Sequence, residues 1–134
     1  MVKEYINPST LFPSEKYGFS QIVTTQGSRT VYLSGQAAFD AEENVIGTNH
    51  KEQMQQCLKN IEAGMEAVGG SLEDVVSLRI YVVDYDPDAE SDPVAETLKQ
   101  YFKSDRLPAA TLIGVSTLAV KGFLVEIEAT AVLE

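Results

Sequence analysis

The side chains with most to offer chemically are two carboxylates near the end of the chain. Glu126 and Glu128 stand two residues apart in "FLVEIEATAVLE". On a pleated strand that spacing puts both on one face. Glutamate can serve as a general base toward water, provided its environment tunes its proton affinity. The other candidates fall short. The single histidine, His50, opens a predicted helix and reads as a first-turn surface residue. Any Ser-His-Asp or Cys-His centre would need it, and the sequence has no G-x-S-x-G elbow. One cysteine and one histidine are too few for the usual zinc ligand sets. The acidic run "DYDPDAESDP" lacks the spacing and central glycine of a calcium loop, so it reads as solvated. The nine glycines are scattered and form no phosphate-binding loop. What remains is a carboxylate pair, a few hydroxyls and the backbone around Ser34-Gly35, where glycine permits close approach.

Regular elements must position these groups. From Phe123 to Leu133 the alternate residues Phe123, Val125, Ile127, Ala129, Ala131 and Leu133 are apolar. The other face mixes Leu124 and Val132 with Glu126, Glu128 and Thr130. A period of two predicts a strand with one buried face, and the mixed face predicts partial cover, as by another copy of the chain. Residues 1 to 18 read as an irregular leader. "FSQIVTTQ" and "RTVYLSGQ" read as strands joined at Gly27-Ser28 by a type II′ turn, and residues 37–47 as a loop or short extra strand.

Asn49 with Glu52 three residues on is a capping-box variant that starts a helix. Its stripe is Met54, Cys57, Leu58, Ile61, Met65 and Val68, and Gly69-Gly70 stops it. Cys57 therefore belongs to the core. A strand over Val75 to Asp84 presents Val76, Leu78, Ile80 and Val82 on one face, and Arg79 and Tyr81 on the other. Asp92-Pro93 caps a second helix, which turns Val94, Leu98, Tyr101 and Phe102 inward. The order is β-β-α-β-α-β-β. Two helices with one apolar stripe each predict an α+β fold, both helices on one face of a single mixed sheet.

The 134 residues suffice for one domain, 1–134, with a real core. Net charge is −10, without Lys/Arg clusters, which argues against nucleic acid. No run approaches the roughly 20 apolar residues of a membrane span. The first residues lack the apolar core of a signal peptide, so the expected compartment is the cytoplasm.

The segments "FSQIV", "VYLSGQ", "LEDVVSLRIYVVD", "QYF", "LPAAT" and "LVEIEATAV" are similar, in order and spacing, to the reactive intermediate deaminase superfamily. This is the RidA or YjgF family, also labelled endoribonuclease L-PSP. The resemblance runs from about Phe19 to Val132. It implies a chorismate-mutase-like fold, a homotrimer, and small-molecule clefts between subunits. It also implies cofactor-free and metal-free hydrolysis of 2-imino or 2-enamino acids to 2-oxo acids and ammonia. By that resemblance Glu126 is the water-positioning glutamate, and Ser34 and Gly35 approach the substrate.

The family's carboxylate-gripping arginine is replaced by Ala110, in "Pro108-Ala109-Ala110-Thr111", and Thr111 follows it. Its usual tyrosine is Phe19, and its asparagine falls near Ala95. Losing a bidentate anchor removes about 1.5–3 kcal/mol per charged hydrogen bond. Arg79, predicted on the Glu126 face, is the candidate substitute, and Arg106 is the less suitably placed alternative. The expectation is a divergent imine or enamine hydrolase acting on something other than a typical 2-iminocarboxylate. The alternative is a trimer of this fold that binds a ligand or protein without turnover.

Overall fold

The structure is a computed structural model and describes residues 3–133. Its elements are β1 (Lys3–Ile6), β2 (Ile22–Thr25), β3 (Arg29–Ala37), α1 (His50–Ala67), β4 (Val75–Val83), α2 (Pro93–Tyr101), β5 (Ala109–Val115) and β6 (Val125–Leu133). Four strands make a mixed sheet in the order β3-β6-β4-β5. Only β4 and β5 run parallel within it. Both helices pack on one face, as the two apolar stripes require.

The alternation of β6 is realised from Val125 to Ala131, after which Val132 and Leu133 are both buried. Val125, Ile127, Ala129 and Ala131 are at most 1% exposed, whereas Glu126, Glu128 and Thr130 are half-buried. Against that apolar face α1 lays Met54, Cys57, Leu58, Ile61 and Met65, all fully buried. Each such side chain contributes about 1.5–3 kcal/mol of burial free energy. Asn49 caps α1 by accepting the Glu52 N–H at 2.9 Å. The Glu52 carboxylate reaches back one residue beyond the cap, accepting the Thr48 N–H at 2.9 Å. Asp92 likewise caps α2, accepting the Ala95 N–H at 3.0 Å, with Pro93 in the first turn.

Four local expectations are corrected. The leader is not irregular: β1 pairs antiparallel with β2, Tyr5 opposite Val23. Its Lys3 is buried, with Nζ 3.5 Å from Asp74 Oδ1. Consequently Gly27-Ser28 is no hairpin turn between paired strands. Instead β2 takes β1 as partner, and the two-stranded ribbon crosses one end of the main sheet. Ser20 bridges to Ala109 at the start of β5, and Gly27 meets Val132 and Leu133 at the end of β6. Finally, a bulge where β4 leaves its register with β6 sends Val75 into the core at 1% exposure. Val76 is left half-buried. Val68, expected in the α1 stripe, is exposed at the C-cap, where its carbonyl accepts a bond from Arg29.

Between β3 and α1, residues 37–47 contribute one antiparallel bridge, Phe39 to Val45. Among the described residues no helix is long and apolar enough to cross a membrane.

Candidate functional site

Glu126 is positioned from both sides along β6. Upstream, the buried Gln53 of α1 clamps the approach to the strand. Its Oε1 accepts the Leu124 N–H at 2.8 Å, and its Nε2 donates to the Gly122 carbonyl at 2.8 Å. Sideways, Glu126 lies against Gly35 of β3. A Cβ at Gly35 would stand 2.8 Å from the Glu126 carboxyl carbon, so only glycine allows this approach. A bulge between Leu33 and Gln36 turns β3 here. Asn60 holds the strand's exit, donating to the Ala37 and Phe39 carbonyls at 2.9 Å each. Glu126, Gly35, Phe39, Asn60 and Phe123 border an open depression of about 420 Å³.

On the same face of the sheet, β4 sets Tyr81 opposite Glu126 and Arg79 opposite Glu128. Tyr81 Oη donates to Glu128 Oε1 at 3.2 Å, and Arg79 Nη1 lies 3.7 Å from Glu128 Oε2. Burial and the bond to Glu128 push the Tyr81 hydroxyl above its ordinary range. Thr111, paired with Arg79 across β4 and β5, joins this face. Arg79 is therefore on the expected face, but its ion-pair partner is Glu128.

A second region lies behind the sheet. Ala110 pairs with Leu78, which is 1% exposed, and packs on the core, so it faces the helices. Ala110, Leu112, Leu98, Ala95 and Phe19 enclose a cavity of about 230 Å³ between β5, α2 and the segment before β2. Gly18 delivers Phe19 there: its φ of 92° is left-handed, and a Cβ would press on Leu98 and the Ala95 carbonyl at 3.0 and 3.2 Å. This cavity and the Glu126 depression share no lining residue. Within one chain the structure thus brings Glu126 to Gly35, and Phe19 to Ala110 and Ala95, but does not join the two groups. Ser34 is exposed beside Gly35, its carbonyl accepting from Gln36 at 3.2 Å. Arg106 turns away from both groups, over the Tyr5 ring at 5.7 Å, and donates to the Glu73 carbonyl.

Two minor candidates resolve into structural roles. His50 is half-buried rather than on the surface, and its Nε2 donates to the Val83 carbonyl at 2.7 Å, tying α1 to the end of β4. Burial pushes the Cys57 thiol up to about 12, and the Glu126 charge adds to the rise. Such a thiol is inert at neutral pH. Among the described residues no cluster of three or more His, Cys, Asp or Glu could hold a metal ion. Gln53 and Asn60 were not anticipated from the sequence. Their one signal is a long amide at the border of an apolar helical stripe.

The fold and these residues define a class of small α+β proteins, and comparison with known proteins fixes the family. The profile described as Endoribonuclease L-PSP matches residues 12–133. A 2-iminobutanoate/2-iminopropanoate deaminase of Dermatophagoides farinae is 32% identical over 135 residues, spanning 100% of both chains. The crystal structure of YyfB from Yersinia pestis, described as a Rid-family protein of unknown function, is 36% identical with a TM-score of 0.93. It covers 99% of this chain and 100% of that one. RidA from an Antarctic Psychrobacter is 34% identical with a TM-score of 0.69, over 86% of this chain and 88% of that one. This chain belongs to the RidA/YjgF family, also described as Endoribonuclease L-PSP.

Proposed function

We propose that the protein is a divergent imine or enamine hydrolase of the deaminase type, acting without a cofactor on a small metabolite other than a 2-iminocarboxylate. Its working form in this reading is a cytoplasmic homotrimer of single-domain chains (residues 1–134), each cleft shared by two copies. The observation that carries the reading is the split site. Glu126 and Gly35 lie on the open face and edge of the sheet, and Phe19 and Ala110 on its helix side. A second copy seated on the open face supplies what one chain lacks. The mixed character of that face supports this, with Tyr32 80% and Ile113 41% exposed beside half-buried Leu124. The deaminase name of the Dermatophagoides relative supports the reaction class.

In the reaction, water oxygen adds to the imine carbon as Glu126 takes a water proton. The proton passes to nitrogen, the carbon–nitrogen bond breaks, and a carbonyl compound and ammonia leave. Gly35 lets the substrate approach the backbone, with Ser34 and Thr111 bordering it. Phe19 and Ala110 of the adjoining copy wall the substrate body, and Arg79 remains the nearest cation on the Glu126 face.

Freshly generated imines, with and without a carboxylate, test this by ammonia release. Turnover of the carboxylate-free imine is expected to exceed that of 2-iminopropanoate. Glu126→Gln is expected to lower it by about 10²–10⁴-fold, the usual contribution of a positioned base. Unchanged turnover in Glu126→Gln would refute the assignment. The missing anchor at Ala110 favours one other reading, a trimer that binds a ligand or a protein without hydrolysis. An inactive wild type whose Ala110→Arg variant hydrolyses 2-iminopropanoate would decide for it.

A further inference from the structure

We infer that Ser14 is a positioning residue for the proposed substrate pocket: its buried hydroxyl fixes the Phe19 backbone and so holds the Phe19 ring as a wall of the cavity that also contains Ala110. The inference rests on the reading above for what that cavity does, and it names what keeps the cavity in shape.

Ser14 opens a single 3-10 turn, Ser14–Tyr17, in the segment before β2. It is completely buried. A hydroxyl taken out of water must find a partner, and Ser14 Oγ donates to the Phe19 carbonyl at 2.7 Å. The backbone of the turn adds to the hold. The Ser14 carbonyl accepts the Phe19 N–H at 3.5 Å, and the Glu15 carbonyl accepts the Gly18 N–H at 3.0 Å. Beyond Phe19, the Ser20 N–H donates to the Pro108 carbonyl at 2.9 Å, and the Gln21 N–H to Asn7 Oδ1 at 2.8 Å. Asn7 Oδ1 also lies 3.3 Å from Ser14 Oγ. The N–H groups of residues 18 to 21 are thus engaged by the turn, by the approach to β5 and by the residue after β1.

Packing alone does not fix the ring. Phe19 borders the open volume of the cavity, and its aromatic neighbour Phe12, edge-on at 6.1 Å, is 57% exposed. A ring bounded by empty space and an exposed neighbour keeps one placement only if its backbone is held. The Ser20–Pro108 bond ties the segment to the chain two residues before Ala110, and the Ser14–Phe19 bond sets the ring relative to that tie. A pocket already in shape binds its ligand without the cost of ordering a wall.

Fluorine NMR of the full-length protein carrying 4-fluorophenylalanine at position 19, together with turnover of the carboxylate-free imine, tests the inference. The wild type should give one sharp resonance. Ser14→Ala should split or broaden it. The same variant should raise KM by about three- to tenfold, the scale of one hydrogen bond, with kcat unchanged because Glu126 is untouched. Thr97→Val is the control. Thr97 is also fully buried and donates to the Pro93 carbonyl at 2.6 Å within α2, so this variant loses a buried hydroxyl bond yet should change neither reading. If Ser14→Ala does not fold, Ser14→Cys keeps the shape while donating only weakly, and should move both readings in the same direction. A folded Ser14 variant with an unchanged resonance, a resonance moved as far by Thr97→Val, or a fall in kcat at unchanged KM would overturn the inference. The fluorine spectrum needs no turnover. A protein that hydrolyses no imine would refute the hydrolase, and the spectrum would still support or overturn the role of Ser14.

Discussion

The two faces of β4 and β6 carry the same backbone to opposite ends. Toward the helices, Leu78, Ile80, Val82, Val125 and Ile127 are at most 2% exposed. Toward the open side, Arg79, Tyr81, Glu126 and Glu128 remain half-buried or exposed. The first face is completed by the chain's own α1 and α2. The second ends in a loose ion pair, with side chains 65% and 42% exposed, and a base candidate lying on glycine. The difference separates core from proposed site: the closed face holds the fold, and the open face holds the groups that the proposed function assigns to a cleft shared with a second copy.

That division can be broken by substitution. Ile127→Ala should cost about 2–5 kcal/mol in denaturant unfolding, the range for truncating a buried branched side chain. A loss below about 1 kcal/mol would mean that the closed face is not the core. Gln53→Leu removes the clamp on residues 122–124 and should cost about 1–3 kcal/mol, because the Leu124 N–H and the Gly122 carbonyl each lose a hydrogen-bond partner. It should also lower any Glu126-dependent turnover, since β6 would no longer be held at its start.

The Cys57 thiol gives a pH signature of the closed face. Its folded value near 12 lies above its ordinary 9.0, so between about pH 9 and 12 the unfolded chain binds fewer protons than the folded one. Stability must then fall as pH rises, by up to about 1.4 kcal/mol per pH unit. The contribution is fully present below about pH 9. Cys57→Ala should unfold with a flatter alkaline limb than wild type, and equal slopes would contradict burial of the thiol. The smallest effect belongs to the open face. Glu128→Gln should change unfolding by less than about 0.5 kcal/mol, because an exposed ion pair is screened by solvent.

The legible parts of the sequence were those governed by local spacing. The period of β6, the Asn49 and Asp92 caps and the stripe of α1 each depend on residues within a few positions. The unread parts depend on distant partners. Lys3 is buried because Asp74, 71 residues away, receives its ammonium. The ribbon of β1 and β2 replaces a hairpin because β1 provides a competing edge.

Of the candidate site, Glu126 and Gly35 were legible as neighbours only through the family resemblance. That Ala110 faces away from Glu126 follows from the parallel register with Leu78, which neither periodicity nor composition contains. The same register explains why Thr111, one residue later, falls on the opposite side from Ala110.

Sedimentation equilibrium across a dilution series tests the split site most directly, since in the proposed reading its two halves meet only between copies. The account predicts a single species of about three times the 14.6 kDa chain mass, persisting to the concentrations at which the protein is assayed. A monomer of one chain mass at those concentrations would leave Glu126 and the Phe19 cavity on opposite sides of one sheet, and would contradict the shared site.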